Sequence, residues 1–391
     1  MSFLSNSQSD HQSNFRSQSS QPPLAAVEAQ APFLKLTWAD GLSADYLYLW
    51  LRDNCPSGFH PQTKERTFDL LSVSDDLAPL ASWLEDGDLV IDWREGGHRS
   101  RFAGAWLRAH RPGTSRPDPA SPSPRLWDRE SLGQIPQADA FLLCDSDAAL
   151  LDWMRSFADS GLALVTGLGD DPAFSRAVGE RVGFLRRTNF GLDFSVESKA
   201  DPNNLAYTAL ALQLHTDLSN QELPPGYQFL HCQTNQAEGG GSLFADGYKI
   251  IEDLRQQHPQ AFKVLSETAI SARFHDQDCD LHIHRPVIGL DSRGQVKDLR
   301  FNAHLVDVLD LPSAQMALFY PAYRELMRRV RAPAYRVELM LQAGQMVVFD
   351  NRRVLHGRAA FDPGTGRRRL SGFYVDRGEF DSRLRTLARQ P

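Results

Sequence analysis

Five prolines fall within the 14 residues Arg111–Pro124, RPGTSRPDPASPSP, and neither a helix nor a central strand can run through them. Each proline removes a backbone donor and fixes its own φ. The chain must therefore fold as separate bodies on the two sides of this stretch, with the stretch as a linker or an extended surface strap. At 391 residues there is room for about two domains. Before the strap, short strand candidates at Leu34–Trp38, Tyr46–Leu51, Arg66–Leu71 and Leu89–Trp93 are separated by turns such as Ala39-Asp40-Gly41 and Glu85-Asp86-Gly87. Phe102–His110 reads as a short helix. This gives a small β-rich domain over residues 31–110, a linker over 111–139 and a larger domain over 140–391.

The larger domain opens with helical patterns. Asp147–Ser160 places Leu150, Leu151, Met154 and Phe157 on one face, and a second helix spans about Pro172–Val182. Between them GLALVT, Gly161–Thr166, reads as a buried strand. Further strands are expected at Gln228–Gln233, Gly241–Ala245, Arg336–Leu341 and Met346–Phe349, and Gln315–Val330 is one long late helix. Helices first and many short strands after them give an α+β, β-rich class with a barrel or sandwich core.

Residues 1–30 are rich in Ser and Gln and poor in aromatics, so a disordered tail is expected there. They lack the basic and apolar regions of a secretory signal. No apolar run reaches the roughly 18 residues of a membrane helix. A net charge of -7 disfavours a nucleic-acid or anionic-membrane partner. The four cysteines, Cys55, Cys144, Cys232 and Cys279, lie far apart, as in a reduced cytoplasmic protein.

Chemistry concentrates in three segments. In Leu214-His215-Thr216-Asp217 the two ligand-type residues are two apart, which puts them on one side of an extended strand. In Met346–Arg358, MVVFDNRRVLHGR, an apolar strand and a polar Asp-Asn turn precede His356. Two histidines and one carboxylate fill one face of an octahedron and leave three positions open, the ligand set of non-haem Fe(II) oxygenases. Arg367-Arg368-Arg369 follows His356 by about a dozen residues, and a guanidinium there could pair with a distal carboxylate of 2-oxoglutarate. The same HxD…H set could hold zinc for hydrolysis, which the arginine argues against. A second histidine pair, His282 and His284, has no such support and reads as a polar strand edge.

With these segments, the motifs LWLRDNCP (Leu49–Pro56), NFGLDFSVESKADPNNLAYT (Asn189–Thr208), PPGYQFLHC (Pro224–Cys232) and GGGSLFADG (Gly239–Gly247) make the chain resemble the γ-butyrobetaine hydroxylase family. These are Fe(II)- and 2-oxoglutarate-dependent dioxygenases, related more distantly to taurine dioxygenases and trimethyllysine hydroxylases. The resemblance covers about residues 33–388. It implies a double-stranded β-helix (jelly-roll) catalytic domain after the small β-rich domain. It implies iron on His215, Asp217 and His356, and 2-oxoglutarate against Arg368, Leu230 and Ser242. Arg369, one strand position on, should face away.

On the substrate side the resemblance implies an aromatic cage of Phe190, Phe194, Tyr207 and Tyr374, which suits a trimethylammonium group that offers no conventional N–H donor. It places Asn204 and Asn302 at the substrate carboxylate. The implied reaction is hydroxylation of a trimethylammonium zwitterion, foremost γ-butyrobetaine to L-carnitine in carnitine biosynthesis, with ascorbate as reductant and a homodimer as the assembly. Another onium substrate, such as 2-(trimethylammonio)ethylphosphonate with Arg300 or His304 serving its headgroup, stays open, as does a catalytically silent onium-binding relative. Some relatives bind zinc in the first domain. Here Cys55, His60 and His98 stand near those places, but Ser57 occupies one where a cysteine is needed. A closed site wants four ligands, so zinc is not expected, and Cys55 reads equally as a small buried hydrophobe.

Overall fold

The computed structural model describes residues 21–197 and 208–389. The chain divides into two compact units between Pro117 and Asp118, inside the proline-rich stretch. The first unit holds two antiparallel three-stranded sheets. One is β1 (Leu24–Gln30), β2 (Phe33–Trp38) and β3 (Ser43–Leu47), and the other is β4 (Pro79–Glu85), β5 (Asp88–Trp93) and β6 (Arg99–Ala103). Leu34, Leu36, Trp38, Leu89, Ile91 and Phe102 form its core.

Several elements differ from expectation here. Among the described residues regular structure begins at β1, within the arm expected to lack it. LAAVEAQ buries only Leu24 fully, so the segment carries no alternation to read. The strand expected over Tyr46–Leu51 ends at Leu47 and turns into a helix, Tyr48–Asp53. Arg66–Leu71 makes a single bridge, Phe59 to Arg66, and no strand.

The second unit contributes, in chain order, β7 (Gln137–Asp139), β8 (Leu162–Thr166), β9 (Asp193–Val196), β10 (Leu212–His215), β11 (Tyr227–Asn235), β12 (Glu238–Gly239) and β13 (Ser242–Asp246). There follow β14 (Ala269–His275), β15 (Asp280–Pro286), β16 (Ile288–Leu290), β17 (Val296–Leu299), β18 (Val337–Leu339), β19 (Gln345–Asp350), β20 (Val354–Arg358), β21 (Phe361–Asp362) and β22 (Arg368–Val375). Two sheets dominate: a six-stranded one of order β7-β8-β19-β11-β22-β9 and a four-stranded one of order β10-β20-β13-β18.

Period-two patterning gives the six-stranded sheet two apolar faces. Outward, Phe229, Met346, Val348, Phe373 and Val375 meet the helices Asp147–Ser160, Pro172–Val182 and Arg377–Leu387. Inward, Leu164, Cys232, Val347, Phe349 and Leu370 share a core with Phe244 and Val354 of the four-stranded sheet. Behind the four-stranded sheet, Leu243, Ala245 and Leu355 pack on the helices Gly247–Gln257, Pro259–Glu267 and Ser313–Arg331. His282 and His284 lie on the hairpin of β14 and β15.

The α+β, β-rich class holds, but the double-stranded β-helix does not. Neither sheet closes into a barrel among the described residues. The physical reason lies at the edges. β7 and β18 have three residues each and β9 and β10 four, too little ladder to join one sheet to the other. The parallel pairing of β7 with β8 also makes the larger sheet mixed.

One buried ion pair fixes the junction of β13 and β20. Arg353 Nη2 lies 2.8 Å from Asp246 Oδ2, with side chains 2% and 0% exposed. Arg353 also donates to the Asp159 and Arg125 carbonyls, and Asp246 accepts from the Trp127 and Tyr248 amides. Four of the five guanidinium protons and both carboxylate oxygens are engaged, the kind of satisfaction a buried pair needs to hold. Asp246→Ala should cost about 3–5 kcal/mol in urea unfolding because it strands a buried guanidinium. The double variant with Arg353→Met should cost less than the sum of the two single ones.

Candidate active site

His215 ends β10 and His356 sits in the middle of β20, and antiparallel pairing places them directly opposite each other. Their ring centroids are 4.4 Å apart. Gly357 permits this approach, since a Cβ there would lie 2.5 Å from the Leu212 carbonyl oxygen. Thr216, between the two ligand-type residues, is locked to Phe301, whose carbonyl accepts its N–H at 2.7 Å. Asp217 then comes round so that Oδ1 lies 3.2 Å from His215 Nε2 and 3.5 Å from His356 Nε2. All three ligand atoms lie within 4.8 Å of one another, and no other group of three such residues occurs among the described ones.

The surroundings prepare these atoms for a cation. His215 Nδ1 is 2.8 Å from the Gln213 carbonyl, which fixes the tautomer with Nε2 free to ligate. Burial works against charging His215, but the Asp217 hydrogen bond and charge outweigh it and hold its pKa above the ordinary value. For His356 burial wins and lowers the pKa, with Asp217 only partly offsetting it. Burial would raise the Asp217 carboxyl, yet the two imidazoles hold it well below the carboxylate range. A carboxylate facing two imidazole nitrogens suits a divalent ion of octahedral preference.

Asn351 was legible only as part of a polar turn, and it proves central. Fully buried, it accepts the Asp217 N–H at 2.7 Å and donates at 3.1 Å to the Asp217 carbonyl and to that of Pro225. The turn it braces carries Leu218 at φ 52°, a strained value for leucine. Tyr374 on β22 donates its hydroxyl to Asp217 Oδ2 at 2.7 Å. Its ring lies 5.2 Å from that of Phe194 on β9. Gly372 makes room for Phe194, because a Cβ there would fall 2.6 Å from the ring.

Arg368 points the same way along β22 as Leu370 and Tyr374, into the shared core. It is buried, and no described residue forms an ion pair with it. Its Nε lacks a partner, its guanidinium lies over the Phe361 ring, and Gly240 packs against it. Arg358 stands over the same ring and donates to the Thr208 and Leu210 carbonyls. Burial, and then the Arg368 charge, lower its pKa. Arg369 turns outward toward Glu197, 4.0 Å away. A buried guanidinium with no ion-pair partner among the described residues is costly to leave uncompensated.

The remaining expected residues divide. Leu230 and Ser242 lie on β11 and β13, Ser242 buried opposite Arg358. Phe190 packs on Phe274, 5.9 Å between centroids. The Asn302 amide is engaged by the Thr216 carbonyl and the His304 N–H. Asn204 and Tyr207 lie outside the described residues. In the first unit Cys55 Sγ meets Ser57 Oγ at 3.1 Å and His98 Nε2 at 3.4 Å. His60 is not brought to them, and its Nδ1 accepts the Thr63 N–H instead. Sequence reasoning missed Gln228, which is buried and paired between Tyr374 and Phe349, with an unpartnered Oε1. A lone polar residue in the apolar run of PPGYQFLHC was its signal.

Residues 120–374 match the family described as the taurine catabolism dioxygenase TauD, TfdA family. The chain belongs to that family. It is 40% identical over 373 residues to the γ-butyrobetaine dioxygenase of Pseudomonas sp. (strain AK-1), covering 94% of this chain and 97% of that one. With the Homo sapiens γ-butyrobetaine dioxygenase it shares 30% over 370 residues, covering 91% and 95%. With the mitochondrial trimethyllysine dioxygenase of Gallus gallus it shares 29% over 375 residues, covering 93% and 88%. Family and triad together make the protein an Fe(II)- and 2-oxoglutarate-dependent dioxygenase. The donor set fits iron(II).

Removing the one anionic ligand should end the chemistry. In Asp217→Ala, succinate formation should fall to the rate without protein, measured with iron(II), ascorbate and 2-oxoglutarate. Turnover near the parent rate would overturn the triad.

Proposed function

We propose that the enzyme hydroxylates γ-butyrobetaine to L-carnitine. The observation that carries this reading is the aromatic wall of Phe194 and Tyr374, hydrogen bonded through Tyr374 to the metal-binding carboxylate. A trimethylammonium group offers no ordinary N–H donor, and ring faces attract it by about 0.5–2 kcal/mol each, depending on desolvation. Full-length likeness to two γ-butyrobetaine dioxygenases supports the same substrate.

In this reading Phe190, Phe194, Tyr207 and Tyr374 surround the onium group, and Asn204 and Asn302 take the substrate carboxylate. Arg368 holds the distal carboxylate of 2-oxoglutarate, with Leu230 and Ser242 lining its path. When bound, iron(II) with 2-oxoglutarate and O₂ supplies the oxidant for an unactivated C–H bond, with succinate and CO₂ as co-products. The protein's part is to orient substrate and cosubstrate and to keep water out. A cytoplasmic homodimer using ascorbate completes the proposal, the location carried by the scattered cysteines and the assembly by the family resemblance. Among the described residues no helix is long and apolar enough to cross a membrane.

A phosphonate headgroup would want a further free cation. Arg300 instead donates to the Gln221 and Glu222 carbonyls and lies 3.7 Å from Asp298. This favours a monoanionic carboxylate.

Succinate and product mass should be measured against γ-butyrobetaine, 2-(trimethylammonio)ethylphosphonate, trimethyllysine and taurine. Stoichiometric succinate and hydroxylated product with γ-butyrobetaine are expected, and turnover with another compound alone would reassign the substrate. Arg368→Ala should raise the KM for 2-oxoglutarate by about 10–100-fold, the loss of a charge-assisted pair. Arg369→Ala should change it less than about twofold, as for an exposed ion pair. The reverse order would mean that Arg369, not Arg368, serves the cosubstrate.

A further inference from the structure

We infer that Tyr374 is a positioning residue for the metal-binding carboxylate, so that one side chain serves both the metal centre and the substrate wall. The argument starts from what fixes Asp217. Its main chain is held on both sides by Asn351, which takes the N–H and gives to the carbonyl. Those bonds set the backbone and leave the side-chain torsions free. A carboxylate on a free torsion turns either oxygen, or neither, toward the imidazoles. The oxygen facing His215 and His356 is Oδ1, and Oδ2 is the atom that accepts from Tyr374 at 2.7 Å. Among the described residues the Tyr374 hydroxyl is the side-chain donor on Oδ2. It therefore selects the rotamer that presents Oδ1 to a metal.

Tyr374 can do this because its own position is over-determined. It is 3% exposed, and its backbone is paired with Gln228 on β11. Its ring lies against Phe194 at an interplanar angle of 33°. The hydroxyl thus comes from a rigid sheet rather than from a loop. Partners of this kind around a metal ligand are commonly worth about 10–100-fold in metal affinity or activity. The same ring is part of the wall assigned above to the onium group, and this half of the inference rests on that assignment. The hydroxyl half rests on the triad alone.

The two halves separate by mutation. Tyr374→Phe keeps the ring, its packing and the sheet register, and removes only the donor. Phe194→Leu thins the wall and leaves the donor. Each purified full-length variant would be titrated with Co(II), and hydroxylated product per succinate and the KM for γ-butyrobetaine would be measured. Tyr374→Phe should weaken Co(II) binding about tenfold or more. It should also lower product per succinate, with the γ-butyrobetaine KM changed less than about threefold. Phe194→Leu should raise that KM and leave the Co(II) Kd within about twofold. Parent-like Co(II) affinity and parent-like coupling in Tyr374→Phe would overturn the inference. The Co(II) titration needs no organic substrate. A wrong substrate assignment would therefore show as absent turnover in the parent protein and leave the positioning test intact.

Discussion

The placement of one five-residue strand, Val354–Arg358, governs this site. It lies between Leu212–His215 and Ser242–Asp246, so His356 faces His215 on one side and Phe244 on the other. A slip of one residue would turn His356 to the opposite face and bring Gly357 in its place. Three features prevent the slip. The buried Arg353–Asp246 pair fixes the strand just before its start. Gly357 allows a backbone approach that any side chain would block. Asn351, in the turn ahead of it, reaches across to the loop that carries Asp217. Strand register and ligand geometry are thus set by the same groups.

Buried ion pairs hold the scaffold around the site. Asp246 with Arg353, Asp298 with Arg352 and Asp350 with Arg377 are paired at 2.6–2.8 Å. Such pairs are neutral overall and serve to specify geometry. Arg368 Nε, His356 Nδ1 and Gln228 Oε1 are buried without a partner. In a well-packed interior such atoms are costly. They belong to the two sheets that share the inner core, as His215 and His356 do.

The metal ligands were legible from an HxD spacing and a histidine after an apolar pair, although Asp217 lies in a turn beyond β10 and not on one strand with His215. The helix Asp147–Ser160 was legible from its apolar face, and Pro172–Val182 falls where a second helix was expected. What escaped reading is tertiary. Asn351 looks like any turn residue until Asp217, 134 positions away, arrives beside it. Leu24–Gln30 has no pattern of its own and becomes a strand only by pairing with Phe33–Trp38. Sheet closure is likewise not a local property. It depends on whether edge strands are long enough to find each other, and here they have three or four residues.

Fitting an aromatic wall beside a metal centre poses a physical conflict. Rings that attract a cationic substrate exclude water, and a dry surrounding is costly for the carboxylate that must stay charged to hold the metal. A tyrosine resolves it at one position. Its face is apolar enough to pack on Phe194, while its edge offers a hydrogen bond to the carboxylate. Phenylalanine would satisfy the wall alone, and serine or asparagine the carboxylate alone. At Tyr374 both demands meet within one rigid strand, which also carries Arg368 six residues earlier on the same face. The strand thereby spaces the Arg368 guanidinium from the tyrosine that bonds the metal-binding carboxylate.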